Sequence, residues 1–179
     1  DRAVQKVLSG QNAAIDYTET VNTTLKKAQF LGRGKEAADA MVQESTNAVT
    51  VQVINALVAA GRADEARVLL QGAQQINAPG TDIPLLSGEA IAPLTATVHA
   101  GLVNKGADYV QTLNPVQRSL VLAQSIEGKS GTPADYLDPG DKVELYRRSL
   151  SDIQTMEDEA QKARNLLLAA ENERKASDL

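Results

Sequence analysis

Apolar residues recur every three or four positions along most of this chain, and that spacing predicts helices. In residues 2–30, Ala14, Tyr17, Val21, Leu25 and Ala28 share one helical face, with Ser9-Gly10 as a break. Two glycines in "LGRGK" (residues 31–35) supply a turn, and "KEAADAMV" (35–42) predicts a second helix. In "NAVTVQVINALVAAG" (47–61), Val49, Val51 and Val53 alternate as in a strand, but Val49, Val53, Ala56, Leu57 and Ala60 also form a helical stripe. The helix formers after Ile54 and the closing Gly61 favour helix with a glycine cap. "ADEARVLLQGAQQI" (63–76) returns antiparallel to it, with acids in its first turn and Ala66, Leu69, Leu70, Ala73 and Ile76 as its apolar face.

Past a turn-rich connector, "NAPGTDIP" (77–84), a helix is predicted from Ser87 to Asn104. Pro93 kinks it or marks its start, and Gly106 breaks "NKGADYVQTL" (104–113). Asn114-Pro115 is a helix start, cap followed by first-position proline, for a helix carrying Val116, Leu120, Ala123 and Ile126. "EGKSGTPADYLDPGD" (127–141) is the main linker, and its Asp138-Pro139-Gly140-Asp141 launches the longest helix, to about Lys175. Val143, Tyr146, Leu150, Ile153, Met156, Ala160, Ala163, Leu167 and Ala170 follow steps of three and four with one skip, a coiled-coil stripe. Some 35 residues at about 1.5 Å each span roughly 50 Å, so this helix needs a partner, an earlier helix or another chain.

The pattern predicts an all-α fold: stacked antiparallel helical hairpins followed by a long C-terminal coiled-coil-like helix. The organisation it implies is a helical-hairpin domain at 1–127, a linker at 128–140 and the long helix at 141–179. A faint echo at an offset of 29 residues sets Glu36, Ala37 and Met41 over Glu65, Ala66 and Leu70. The offset falls short of the tetratricopeptide period of about 34 residues and occurs once.

Composition narrows the function classes. There is no Cys, which excludes disulfides and thiolate metal sites. Aromatics make up 3% of the chain, and the small residues that dominate instead permit close helix packing. A net charge of −5 with no basic cluster makes specific nucleic-acid binding by this segment a poor expectation. The longest apolar runs, such as 166–170, are far below the roughly 20 residues of a membrane helix, so no transmembrane segment is expected. No signal peptide is visible, and the chain begins at Asp1 rather than Met, as a processed product or a piece of a longer protein would.

One string invites a catalytic reading. "AQSIEGKS" (123–130) fits the phosphate-binding pattern [AG]-x-x-x-x-G-K-[ST]. Such a loop needs a strand before it and a helix after it, whose positive end meets the anion. Here a helix precedes, Pro133 comes shortly after, and Glu127 would repel phosphate. Helix C-terminus with Gly128 as cap is the reading the neighbours favour. His99 has no second His or Cys at ligand spacing. The acidic pairs Asp64-Glu65 and Asp138/Asp141 sit at helix starts, and Glu157-Asp158-Glu159 lies on an exposed helix. Basic residues of the last helix sit near acids at i+4 spacing, as Asp158 with Lys162 and Glu171 with Lys175. No catalytic, cofactor or metal site is expected, and the chain reads as a non-enzyme.

The segment 47–71 together with "YLDPGDKVELYRRSL" (136–150) resembles a pattern in large internal virion (ejection) proteins of short-tailed bacteriophages. The matching positions are Ala56 to Leu70, then Tyr136, Leu137, Pro139, Leu145, Arg147 and Arg148. The resemblance implies a helical, non-catalytic structural segment, carried in the virion interior and released into the host cell envelope to help form a conduit for the genome. The transglycosylase glutamate of those proteins has no counterpart here. The implied partners are other copies of the chain or other virion or structural proteins, with no cofactor. The expected interface is Leu150, Ile153, Met156, Ala160, Ala163 and Leu167, while Val53, Leu57, Leu69 and Leu70 hold the internal hairpin. A tetratricopeptide-like protein–protein interaction adaptor is the alternative.

Overall fold

The computed structural model describes residues 17–177, together with 4, 5 and 9; of 173 and 175–177 it describes the backbone alone. The helix predicted before Tyr17, with Ala14 and the break at Ser9-Gly10, therefore lies largely outside the described residues. The described residues form an all-α structure: α1 (Thr18–Phe30), α2 (Lys35–Ala59), α3 (Ala63–Ala73), α4 (Gly88–Gln111), α5 (Pro115–Ile126), a 3₁₀ turn (Pro133–Tyr136) and α6 (Pro139–Ser177). The chain divides into two compact units between Lys105 and Gly106, inside α4.

In the first unit, α2 packs on both α1 and α3. The helices predicted separately at 35–42 and 47–61 are one 25-residue helix. Nothing between Val42 and Asn47 breaks a helix, and its buried face is Val42, Thr46, Thr50, Val53, Ile54 and Leu57; of the alternating valines only Val53 lies on it, while Val49 and Val51 are half-buried beside it. Two buried threonines sit on that face because each hydroxyl donates one turn back, Thr46 to the Val42 carbonyl (3.0 Å) and Thr50 to the Thr46 carbonyl (2.8 Å). Tyr17 meets Thr50 Oγ1 at 2.7 Å. Since the Thr50 hydrogen is committed to its own helix, the Tyr17 hydroxyl is the donor. On α1 the buried positions are Val21, Thr24 and Ala28. Leu25, expected in that set, is 36% exposed because Thr24 reaches inward to Ser45 Oγ at 3.1 Å.

The α2–α3 turn closes as expected at Gly61, with φ +74°. The Gly61 amide donates to Val58 and the Arg62 amide to Leu57, the paired bonds of a Schellman cap. α3 buries Ala63, Ala66, Leu70 and Ala73 but ends earlier than predicted, and Ile76 is left outside. Its backbone turns away to bond Leu85, and Ala78 bonds Ile83. Asn47 fixes the end of this connector, accepting from the Ser87 amide (2.9 Å) and donating to its hydroxyl (3.0 Å). Gly101 of α4 lies so close to the α2–α3 turn that an added Cβ would stand 2.8 Å from Val58 and 3.1 Å from Ala63.

The 29-residue echo aligns the opening turns of the 25-residue α2 with the 11-residue α3. It pairs unlike elements and does not delimit a repeated hairpin.

In the second unit, α4 continues through Gly106 to Gln111, where the sequence predicts a break. Glycine is needed there for closeness, not for a turn. A Cβ at 106 would stand 2.7 Å from the Pro133 carbonyl oxygen and 3.2 Å from Leu137. α5 opens with the predicted cap, a full capping box: Asn114 accepts from the Gln117 amide (2.9 Å), and the Gln117 side chain accepts from the Asn114 amide (3.3 Å). Its buried side chains are Leu122 and Ser125, whereas Val116, Leu120 and Ile126 of the expected face are exposed. α5 packs instead along the face that meets α6 and the 3₁₀ turn.

Candidate helix-docking interface

Two places in the second unit are open to a functional reading from sequence: the loop after α5 and the stripe along α6. The loop is a closed polar knot. α5 ends at Ile126, and Gly128, with φ +73°, takes the left-handed conformation that ends a helix. The Gly128 amide donates to Ser125 and the Lys129 amide to Gln124, another Schellman cap. So the glycine of the phosphate-loop string terminates a helix, as the sequence context implied, and the backbone N–H groups of a cradle are already spent.

The sequence did not disclose the role of Asp135. Its carboxylate accepts from Ser130 Oγ (2.6 Å) and from the Gly131 amide (2.9 Å). Ser130 Oγ in turn accepts from the Thr132 amide (3.2 Å), and Lys142 donates to the Asp135 carbonyl (3.0 Å). Burial alone would raise the Asp135 pKa. The Ser130 and Ser125 hydroxyls, the Gly131 amide and the Lys142 charge outweigh it and hold the carboxyl below its ordinary value. Ser125 Oγ is itself buried without a hydrogen-bond partner, near enough to favour the anion but outside bonding geometry. The internal carboxylate thus occupies the position that a bound anion would need. The signal in the sequence was Ser-x-x-x-x-Asp across a Gly-Thr-Pro turn, which proximity alone does not rank.

Other candidate groups do not converge. His99 is exposed on α4, and among the described residues no group of three or more His, Cys, Asp or Glu could hold a metal ion. Asp64 and Glu65, assigned to the helix dipole, also meet cations. Lys105 pairs with Asp64, and Arg62 grips Glu65 with Nε at 2.7 Å and Nη2 at 2.6 Å. That bidentate bond holds the Glu65 pKa below its ordinary value, against a desolvation that would raise it.

The stripe along α6 has two regimes, set by helix length. α5 has 12 residues, about 18 Å, and α6 has 39, about 58 Å at 1.5 Å per residue. The two pack on each other, and Arg118 near the start of α5 reaches Asp152 at 3.6 Å. The same guanidinium holds the Val110 and Leu113 carbonyls (3.2 and 3.1 Å), which ties the end of α4 to this point. α6 is therefore covered from its start to about Ile153. Ser149 is fully buried, its hydroxyl turned back onto the Leu145 carbonyl (2.8 Å). Leu145, Tyr146 and Ile153 are half-buried, while Leu150 beside them is 45% exposed. Beyond Ile153 every described side chain to Arg174 is exposed. Met156 is 52%, Leu166 72% and Leu167 71% exposed, with Ala160 and Ala163 between them. Of the six expected interface residues, Ile153 alone makes part of the internal packing. The other five point to solvent.

No protein-family model matches this chain, and no curated protein or solved structure matches it. No helix among the described residues is long and apolar enough to cross a membrane.

Proposed function

We propose that this chain is a non-enzymatic helical assembly segment that docks on a helix of another chain through the distal half of α6. The observation that carries the proposal is a helix of which some twenty residues past Ile153 have no cover among the described residues, yet keep an apolar seam at three- and four-residue spacing. Most of a helix's stability in water comes from packing its apolar face. Here four large apolar side chains, Met156, Leu166, Leu167 and Leu168, stand on it in the open. A second helix laid along the seam covers Met156 and Leu167 and removes their surface from water at about 25 cal/mol per Å². The virion setting rests on the resemblance of 47–71 and 136–150 to internal ejection proteins of short-tailed phages. In that setting the segment is a building block of a conduit, its acidic charge leaving DNA free to slide.

Sedimentation of the intact chain over a wide concentration range tests the docking. The expected result is association that M156E and L167E together abolish, with the far-UV spectrum of the rest unchanged, since neither side chain packs inside the chain. A chain that stays monomeric at every concentration refutes the reading. The virion setting is tested by the neighbours of the coding sequence: capsid and tail genes support it, and a metabolic operon overturns it.

A further inference from the structure

The turn joining α1 to α2 carries a second solvent-facing surface, and its chemistry differs from that of α6. A net charge of −5 conceals it. Residues 26–35, "KKAQFLGRGK", hold Lys26, Lys27, Arg33 and Lys35 and no acid, which leaves 14 Lys and Arg against 23 Asp and Glu in the rest of the chain. The chain, read from its composition as having no basic cluster, therefore has a local one, and it coincides with the end of α1 and the start of α2. Every residue from Gln29 to Ala37 is exposed; Phe30, the one phenylalanine of the chain, is 90% exposed and Leu31 beside it 50%. We infer that this tip docks on the surface of an anionic lipid bilayer, with Phe30 and Leu31 at the headgroup–acyl boundary and the four cations among the headgroups.

The backbone presents the apolar pair. The Gly32 amide donates to the Gln29 carbonyl and the Arg33 amide to the Ala28 carbonyl, both at 3.0 Å, with Gly32 at φ +63°. This Schellman cap ends α1 at Phe30 and fixes the turn. α1 packs on α2 and buries Val21, Thr24 and Ala28, so neither Phe30 nor Leu31 belongs to that packing. Lys26 lies one turn behind Phe30 and Lys27 one turn behind Leu31, while Arg33 stands in the turn and Lys35 opens α2. None of the four makes an ion pair among the described residues. An apolar wedge and a polybasic collar together hold a protein on a membrane where either alone is marginal. The excess of acid elsewhere on the chain is repelled by the same surface, which turns the tip toward it. Nucleic acid suits the tip less. Single strands lie in a basic groove along which several rings stack, and an exposed turn with one ring and a leucine offers neither. The inference depends neither on the α6 seam nor on the virion setting.

The absence of native tryptophan makes F30W a reporter at the tip itself. The full chain is mixed with vesicles of equal parts phosphatidylglycerol and phosphatidylcholine, and separately with vesicles of phosphatidylcholine alone, and bound protein is read by cosedimentation. The expected result is association with the anionic vesicles that added salt weakens, together with a blue shift of the F30W emission. F30S/L31S abolishes it. K26Q/K27Q weakens it by roughly twenty- to thirtyfold, at about fivefold for each cation removed. All four of these side chains are exposed, so unchanged far-UV spectra and urea midpoints accompany the loss. Equal binding to both kinds of vesicle, binding to neither, or anionic binding that F30S/L31S leaves intact overturns the inference. An F30W emission that responds to oligothymidylate and not to vesicles also overturns it, and assigns the surface to nucleic acid.

Discussion

Gly106→Ala separates two effects that act with opposite sign in the same helix. Glycine inside a helix costs about 0.5–1 kcal/mol relative to alanine, so the replacement by itself should stabilise α4. At 106, however, the new methyl would sit 2.7 Å from the Pro133 carbonyl oxygen, well inside ordinary contact, and 3.2 Å from Leu137. The oxygen belongs to the backbone of a 3₁₀ turn held by the Asp135 bonds, so it cannot swing away as a side chain would. Overpacking of this kind costs about 1–3 kcal/mol. The steric term wins, and the net loss is about 1 kcal/mol or somewhat more. Gly72→Ala is the internal control. Gly72 lies in α3, where an added methyl would meet open space, so only the propensity gain remains, a few tenths of a kcal/mol this close to the helix end. Urea unfolding followed by circular dichroism reads both, and the two midpoints should move in opposite directions. If Gly106→Ala stabilises as Gly72→Ala does, the close passage of α4 over the 3₁₀ turn is refuted.

Burial raises the Tyr17 pKa above 10.0, only partly offset by its hydrogen bond to Thr50. The stability this gives is complete below pH 10 and is lost as pH rises through the folded-state value, so Tyr17→Phe should flatten alkaline unfolding while costing about 1 kcal/mol at neutral pH. Asp135 has the opposite sign. Its folded pKa is lowered, so its contribution is present above the ordinary value of 3.8 and disappears as pH falls through the lowered one. Asp135→Asn should cost about 1 kcal/mol near neutrality, the bonds being part-exposed, and should lessen the acid sensitivity of unfolding. Calorimetric titration with magnesium and ATP should show no binding, and Lys129→Ala should leave stability unchanged within about 0.5 kcal/mol, as for an exposed side chain.

Local chemistry was the most legible part of the sequence. The caps at Gly61, Gly128 and Asn114 are decided by a few adjacent residues, and the structure places each where the sequence did. The α-helical class came from spacing summed over long windows. Missing were features set by distant neighbours. Gly106 read as a break, because sequence cannot show that another segment passes within van der Waals reach. Thr24 replaced Leu25 on the buried face because Ser45 offered a polar partner, a contact 21 residues away. On α5 the visible stripe of Val116, Leu120 and Ile126 faces outward, and the closer apolar alternative Leu122 is the buried one. Periodicity identifies a helix with an apolar face, but several faces of α5 are apolar, and only the knot at Asp135 and the packing on α6 select one.

The same logic distinguishes the two halves of α6. A buried stripe and an unpartnered stripe carry the same three-and-four spacing, so the sequence alone reads 143–170 as one seam. The structure divides it at the point where α5 runs out, marked by the Arg118–Asp152 pair. On the covered side the fully buried residue is a serine, Ser149, whose small side chain leaves room for α5, and the larger Leu150 lies toward solvent. On the uncovered side the three-and-four spacing settles into a regular heptad. Internal packing does not demand that regularity, since no neighbour among the described residues covers these side chains. A regular heptad past the end of the helix that covers its first half is therefore better explained by an external helix than by the fold of this chain. Sedimentation of the M156E/L167E chain asks that question of two seam side chains that stand in solvent.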